Sequence, residues 1–135
     1  MIEKVFPATD ESLPLAIGLV EEELERLDCP LKGVMQITVC VEEMFVNVAH
    51  YAYQRGDGDG NVTMRLDDAD GVFTITLIDS GYEFDPLAKP DPDITLGAEE
   101  RGIGGLGIYM VKKTMDSVAY ERRDNLNIFT MSKKL

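Results

Sequence analysis

The stretch ERGIGGLGIYMVKK, residues 100–113, places four glycines in six positions directly ahead of an apolar run with helical spacing. Glycines before a helix N-terminus let backbone N–H groups approach an anion closely, and the helix dipole favours phosphate there. A Gly-rich hinge accounts for the same text. Gly102, Gly104 and Gly107 also fit G-x-G-x-x-G, but a dinucleotide fingerprint needs a strand ahead of its first glycine, and a Pro-rich segment stands there. A Walker A loop fails as well, because Ile108 and Tyr109 follow Gly107 where Lys and then Ser or Thr belong.

Two other groups of polar residues have informative positions. On VEEMFVNVAHYAY, Glu43, Asn47 and His50 fall at about 200°, 240° and 180° from Val41 when a helix turns about 100° per residue. A carboxylate, a carboxamide and the only imidazole in the chain therefore share one strip, although the face opposite a core stripe is normally polar. In GVFTITLIDSG, a period of two puts Asp79 on the same face as Phe73, Ile75 and Leu77. An acid ending an apolar row is a site candidate, and an Asp that starts a turn in DSG is the plain alternative.

The elements that must hold these residues follow from periodicity. Residues 2–6 suit a short strand, and Thr9, Asp10 and Ser12 are candidate caps for a helix of about 16 residues carrying Leu15, Leu19, Val20, Leu24 and Leu27. Pro30 ends that pattern. A longer helix starts near Leu31, with Ile37, Met44, Phe45, Val48 and Ala52 all within about 60° of Val41 as its core stripe. NVTMRLD and GVFTITLID alternate as a hairpin joined near Asp70 and Gly71. From Tyr82 to Arg101 the regular pattern gives way to a loop with three prolines and six acids, a length that in a compact domain is usually functional or disordered. A helix to about Met115 and a closing hairpin around Asp124 and Asn125 complete the chain.

The bulk numbers narrow the function. A formal charge of −12 repels nucleic acid, and no basic patch offsets it. No run of about 18 apolar residues exists, so no membrane span is expected, and without a signal-like N-terminus the expected location is cytoplasmic. Cys29 and Cys40 have neither CxxC spacing nor a clustered His and read as buried free thiols. DGDGN at 57–61 lacks the glycine and the final Glu of a calcium loop.

Taken in order, VEEMFVNVAHYAY, IDSGYEFDP and GIGGLGIYMVKKTMD resemble the N, G1 and G2 boxes of the ATP-binding (GHKL, Bergerat-type) fold shared by histidine kinases and gyrase-type ATPases. The chain resembles most closely the stand-alone anti-sigma factor serine/threonine kinases of bacterial partner switching. The resemblance implies one α/β (α+β) two-layer sandwich over residues 1–135, with a mainly antiparallel sheet of about five strands, about three helices on one face, and an ATP lid at about 82–103. It implies ATP and Mg²⁺ as cofactors. Asn47 would bind the Mg²⁺ that bridges the phosphates, Asp79 would accept the adenine amino group, and Gly81 would leave room for the ring. Gly104, Gly105, Leu106 and Gly107 would line the phosphates, with His50 and Arg101 as further nucleotide contacts, and Glu43 would be the general base. The implied partners are a small antagonist protein phosphorylated on Ser and a sigma factor or another regulator, and relatives commonly form homodimers. A catalytically silent, ATP-gated binding module of the same fold is the alternative, and an interaction domain without nucleotide is the third.

Overall fold

Strict alternation builds the centre of the molecule. In the computed structural model, which describes residues 1–56, 58–88 and 106–135, β2 (Asn61–Ala69) buries Val62, Met64 and Leu66. The next strand, β3 (Val72–Asp79), buries Phe73, Ile75, Leu77 and Asp79, as the sequence pattern predicts. With β1 (Ile2–Pro7), β4 (Ser117–Arg123) and β5 (Leu126–Lys134) they form one antiparallel sheet in the order β1-β2-β3-β5-β4. Both hairpin turns use positive φ, at Asp70 and Gly71 (54° and 79°) and at Asp124 and Asn125 (54° and 62°). That backbone twist matches the flanking strands. Because β3 pairs with β5, the chain leaves the sheet at Asp79 and returns at Ser117.

Helices α1 (Leu13–Arg26), α2 (Leu31–Asn47) and α3 (Leu106–Thr114) cover the inner sheet face, with α2 packed against both others. Phe45 of α2 meets Phe6 of β1 edge to face at 6.2 Å between ring centroids. Burial of a side chain of this size contributes about 1.5–3 kcal/mol. Cys40 joins the expected stripe of Ile37, Val41, Met44 and Phe45, and its thiol is pushed up by burial; Cys29, expected to be buried, is only half-buried.

Two expectations about the helices need correction. The first helix is preceded by a 3₁₀ turn, Asp10–Ser12, and has 14 residues, with no side-chain cap from Thr9 or Ser12. Its buried row is Ala16, Val20 and Leu24, spaced by four, while Leu15 is 69% exposed. The small Ala16 lets the helix lie close to the sheet, a role that a ranking by hydrophobic size assigns to leucine. The second helix does not continue regularly to its loop. After Asn47 it widens into a π turn, Val48–Ala52, a distortion often found at functional sites.

This π turn fixes where β3 ends. Tyr82 N–H donates to the Ala52 carbonyl at 3.1 Å, and a Cβ added at Gly81 would overlap that same carbonyl. The obstacle is backbone and cannot rotate away. Gly81→Ala is therefore expected to cost about 1–3 kcal/mol, read as a lower denaturation midpoint at unchanged slope.

Candidate functional site

Where the end of α2 and the π turn face the ends of β3 and β5, a largely apolar cavity forms. Met44, Asn47, Val48 and Ala52 line one side, Asp79, Asn127 and Phe129 the floor, and Tyr120, Phe84 and Pro86 the rim. Asn47 and Asp79, distant in sequence, thus meet at one cavity.

Asp79 is 7% exposed, and its two hydrogen bonds both land on Oδ1, from Gly81 N–H at 3.0 Å and from Asn127 Nδ2 at 2.9 Å. The first bond is the turn contact that DSG suggests, so Asp79 is a turn residue and a cavity residue at once. Oδ2 accepts nothing from the described residues. Burial pushes the Asp79 carboxyl above the usual carboxylate range, opposed by the bonds from Asn127 and Gly81 and by the nearby charge of Arg122. The folded state therefore keeps this proton to higher pH than the unfolded chain does. The resulting stability is fully present below the ordinary carboxylate range and is lost as pH rises through the raised value. The difference in denaturation midpoint between wild type and Asp79→Asn is expected to change as pH rises from the ordinary carboxylate range through the raised value.

Asn127 is the residue that the sequence reading passed over. Its Nδ2 donates to Asp79 and to the Tyr82 carbonyl at 2.8 Å; its Oδ1 accepts from Tyr120 O–H at 2.6 Å and Phe84 N–H at 3.3 Å. All four hydrogen-bonding capacities of the amide are used. It ties β4, β5, the site carboxylate and the first residues after β3 into one unit. Its signal in the sequence is phase, since it alternates with Phe129 and Met131 on the buried face of β5.

A second network fixes Ser80. Its hydroxyl donates to Asp59 Oδ1 at 3.0 Å, and its N–H donates to Tyr53 O–H at 3.0 Å. Gly58, at φ 75°, passes so near the Ser80 carbonyl that an added Cβ would collide with it. Arg122 Nη1 donates to the Gly81 carbonyl at 2.9 Å, and the Arg55 guanidinium lies 4.5 Å above the Tyr82 ring. The turn that carries Asp79 is thus held from both sides.

Glu43 and Asn47 are one helical turn apart on α2, but only Asn47 lines the cavity. Half-buried Glu43 faces α3, where a Cβ added at Gly107 would overlap its carboxylate. Gly107 is thus a space-maker for Glu43. Leu106 beside it is 48% exposed. His50 lies elsewhere: its Nε2 is 2.8 Å from Asp10 Oδ1 and 3.0 Å from Oδ2, outside the cavity. The π turn takes it out of phase with Asn47. Arg101, Gly104, Gly105 and the lid beyond Ala88 lie outside the described residues. Among the described residues no His, Cys, Asp and Glu cluster suits a metal ion, and no helix is long and apolar enough to cross a membrane.

A sheet covered on one face by helices, with an apolar slot at its strand ends and a buried carboxylate in the floor, is a two-layer α+β architecture. The chain belongs to the histidine kinase-like ATPase domain family, whose model matches residues 6–133. Among its relatives is the serine/threonine-protein kinase BtrW of Bordetella bronchiseptica, 23% identical over 71% of this chain and 67% of that one. Another is the serine-protein kinase RsbW of Bacillus licheniformis, 24% identical over 87% and 75%. In solved structures the same fold is found in the RsbU and RsbW domains of Rv1364c from Mycobacterium tuberculosis, with a TM-score of 0.71 and 14% identity, over 99% of this chain and 31% of that chain. It also matches the SiaB-SiaC complex of Pseudomonas aeruginosa at a TM-score of 0.67 and 15% identity, over 100% of this chain and 90% of that one.

Proposed function

We propose that this chain is an ATP-dependent serine/threonine protein kinase of the anti-sigma-factor type, which phosphorylates a small antagonist protein and sequesters a sigma factor or another regulator. The observation that carries the reading is that Asn47 and Asp79 share one cavity, with Glu43 a single turn from Asn47 and against the start of α3.

Asp79 has the chemistry of a base reader. With Oδ1 held by two donors and no bond to Oδ2 from the described residues, Oδ2 would accept the adenine amino group, and the apolar walls suit the ring. Gly81 and the Ala52 carbonyl form the close-packed wall beside it. The donor set also fits Mg²⁺, which keeps most of its ligands as water and phosphate oxygen and takes few from protein, here the Asn47 carboxamide oxygen. Bound Mg²⁺ supplies charge neutralisation of the phosphate oxygens. In this reading Gly104, Gly105, Leu106 and Gly107 receive the phosphates at the start of α3, Arg101 adds positive charge, and residues of about 82–103 close over the nucleotide. His50, bonded to Asp10, braces the π turn instead of the nucleotide.

Transfer requires a serine hydroxyl of the acceptor to attack the γ-phosphorus as the bond to the ADP oxygen breaks. Glu43 takes the hydroxyl proton, and ADP leaves with the bonding electron pair. A silent, ATP-gated module is supported by one observation, that Glu43 is turned toward Gly107 and does not line the cavity.

The test is incubation with labelled ATP, Mg²⁺ and, as the regulator, the candidate small antagonist protein encoded nearest to this chain. Label on a serine of the regulator is expected. ATP binding without transfer would favour the module, and an absence of ATP binding would contradict both readings.

A further inference from the structure

The outward side of α2 carries a row of exposed apolar residues. With Leu31 at zero and about 100° per residue, Met35 falls near 40°, Val39 near 80° and half-buried Val46 near 60°, while the buried Ile37, Cys40, Val41 and Met44 centre near 240°. Leu31, Met35 and Val39 are 73%, 60% and 47% exposed. Single exposed apolar residues are ordinary, but three on one ridge over about 12 Å of helix are a surface, and a solvent-facing helix side is normally polar. The ridge lies in the middle of the helical layer, since α2 contacts α1 and α3.

We propose that this ridge docks the protein that receives phosphate, and that the partner's matching face is apolar at its centre and rich in Lys and Arg at its rim. The inference rests on the kinase reading for the partner's role. Charge selects the occupant. Residues 10–47 and 106–114, which carry the three helices, hold nine acids against four bases. Exposed Glu21, Glu22 and Glu25 lie on α1, and exposed Glu42 sits on the ridge near 20°; Lys32 and Lys113 are the exposed bases of the layer besides Arg26, which pairs with Glu23 and Asp68. A second copy would bring acids against acids, and an anionic bilayer is repelled in the same way. Glu43 lies about 40° around the helix from Val39 and one turn further along. A partner seated on the ridge therefore has its surface beside the carboxylate that would take its hydroxyl proton.

The experiment titrates the same candidate antagonist, as the regulator, into the full chain with Mg-ATP present, for wild type, Met35→Glu, Val39→Glu, Glu42→Lys and, on the opposite sheet face, Val5→Glu. ATP affinity and sedimentation are measured on every sample. Regulator binding is expected to weaken by about tenfold or more in Met35→Glu and Val39→Glu, to weaken in Glu42→Lys and with added salt, and to be unchanged in Val5→Glu. ATP affinity should stay within about twofold throughout. Unchanged regulator binding in both ridge variants, no regulator binding by wild type, or a wild-type dimer that Met35→Glu dissociates would each overturn the docking proposal. Wild type that binds the regulator through the ridge yet transfers no phosphate would contradict the kinase reading alone, and transfer that survives both ridge variants would contradict the docking surface alone.

Discussion

Replacing Glu43 by Gln is expected to lower phosphate transfer to the protein acceptor by about 10²–10⁴-fold while ATP affinity changes by less than about threefold. The separation follows from position. Glu43 does not line the cavity that would hold the base, so recognition of the base does not pass through its side chain. An acceptor hydroxyl, however, loses its proton as it attacks, and a glutamine of the same shape cannot take it. Gly107→Ala should reach a related result by another route, because the new Cβ must push the Glu43 carboxylate aside. The obstacle there is the end of a flexible side chain, so the fold should tolerate what the chemistry does not. Single-turnover transfer measured beside ATP binding checks both variants. Equal loss of binding and transfer in Glu43→Gln would place Glu43 among the nucleotide contacts.

Asp79→Asn is expected to reduce ATP affinity by about 100-fold or more. An asparagine here has no good orientation. If its oxygen replaces Oδ1 and keeps the bonds from Gly81 and Asn127, its NH₂ faces the adenine amino donor; if it flips, the NH₂ faces those two buried donors. Either way a donor meets a donor, and a charge-assisted bond worth about 1.5–3 kcal/mol is lost together with about 1–3 kcal/mol for an unsatisfied buried group. Asn127 cannot adjust, since all four of its hydrogen-bonding capacities are engaged. Titration calorimetry on a variant shown to be folded by its denaturation curve is the check. Affinity within about threefold of wild type would remove Asp79 from base recognition.

The sheet was legible because its signal is local and has a period of two. Met64 and Ile75 point inward for reasons visible within a few neighbours, and Asp79 could be assigned to the buried face by counting from Phe73. The turns at Asp70–Gly71 and Asp124–Asn125 were legible because these residue types tolerate positive φ. His50 is absent from the cavity lining because the π turn after Asn47 breaks the single period that the angular reading assumes along the whole helix. The pairing with Asp10 then depends on a residue 40 positions away, which no local pattern encodes. The same holds for Gly107, which reads as one glycine of a phosphate loop while its neighbour across the helix pair is Glu43. Asn127 was missed for the opposite reason, since its alternation was visible but its four partners come from three other parts of the chain.

Titration of the wild-type protein with ATP and with GTP, each with Mg²⁺ and with a chelator, bears most directly on the proposed nucleotide site. A buried carboxylate with one free oxygen accepts from the adenine amino group and repels the carbonyl that guanine carries in its place. Saturable ATP binding is expected, weakened by the chelator and reduced in Asp79→Asn, with GTP weaker by about 100-fold or more. Equal affinity for the two nucleotides, or no saturable ATP binding, would contradict the assignment of Asp79 and with it the proposed kinase site.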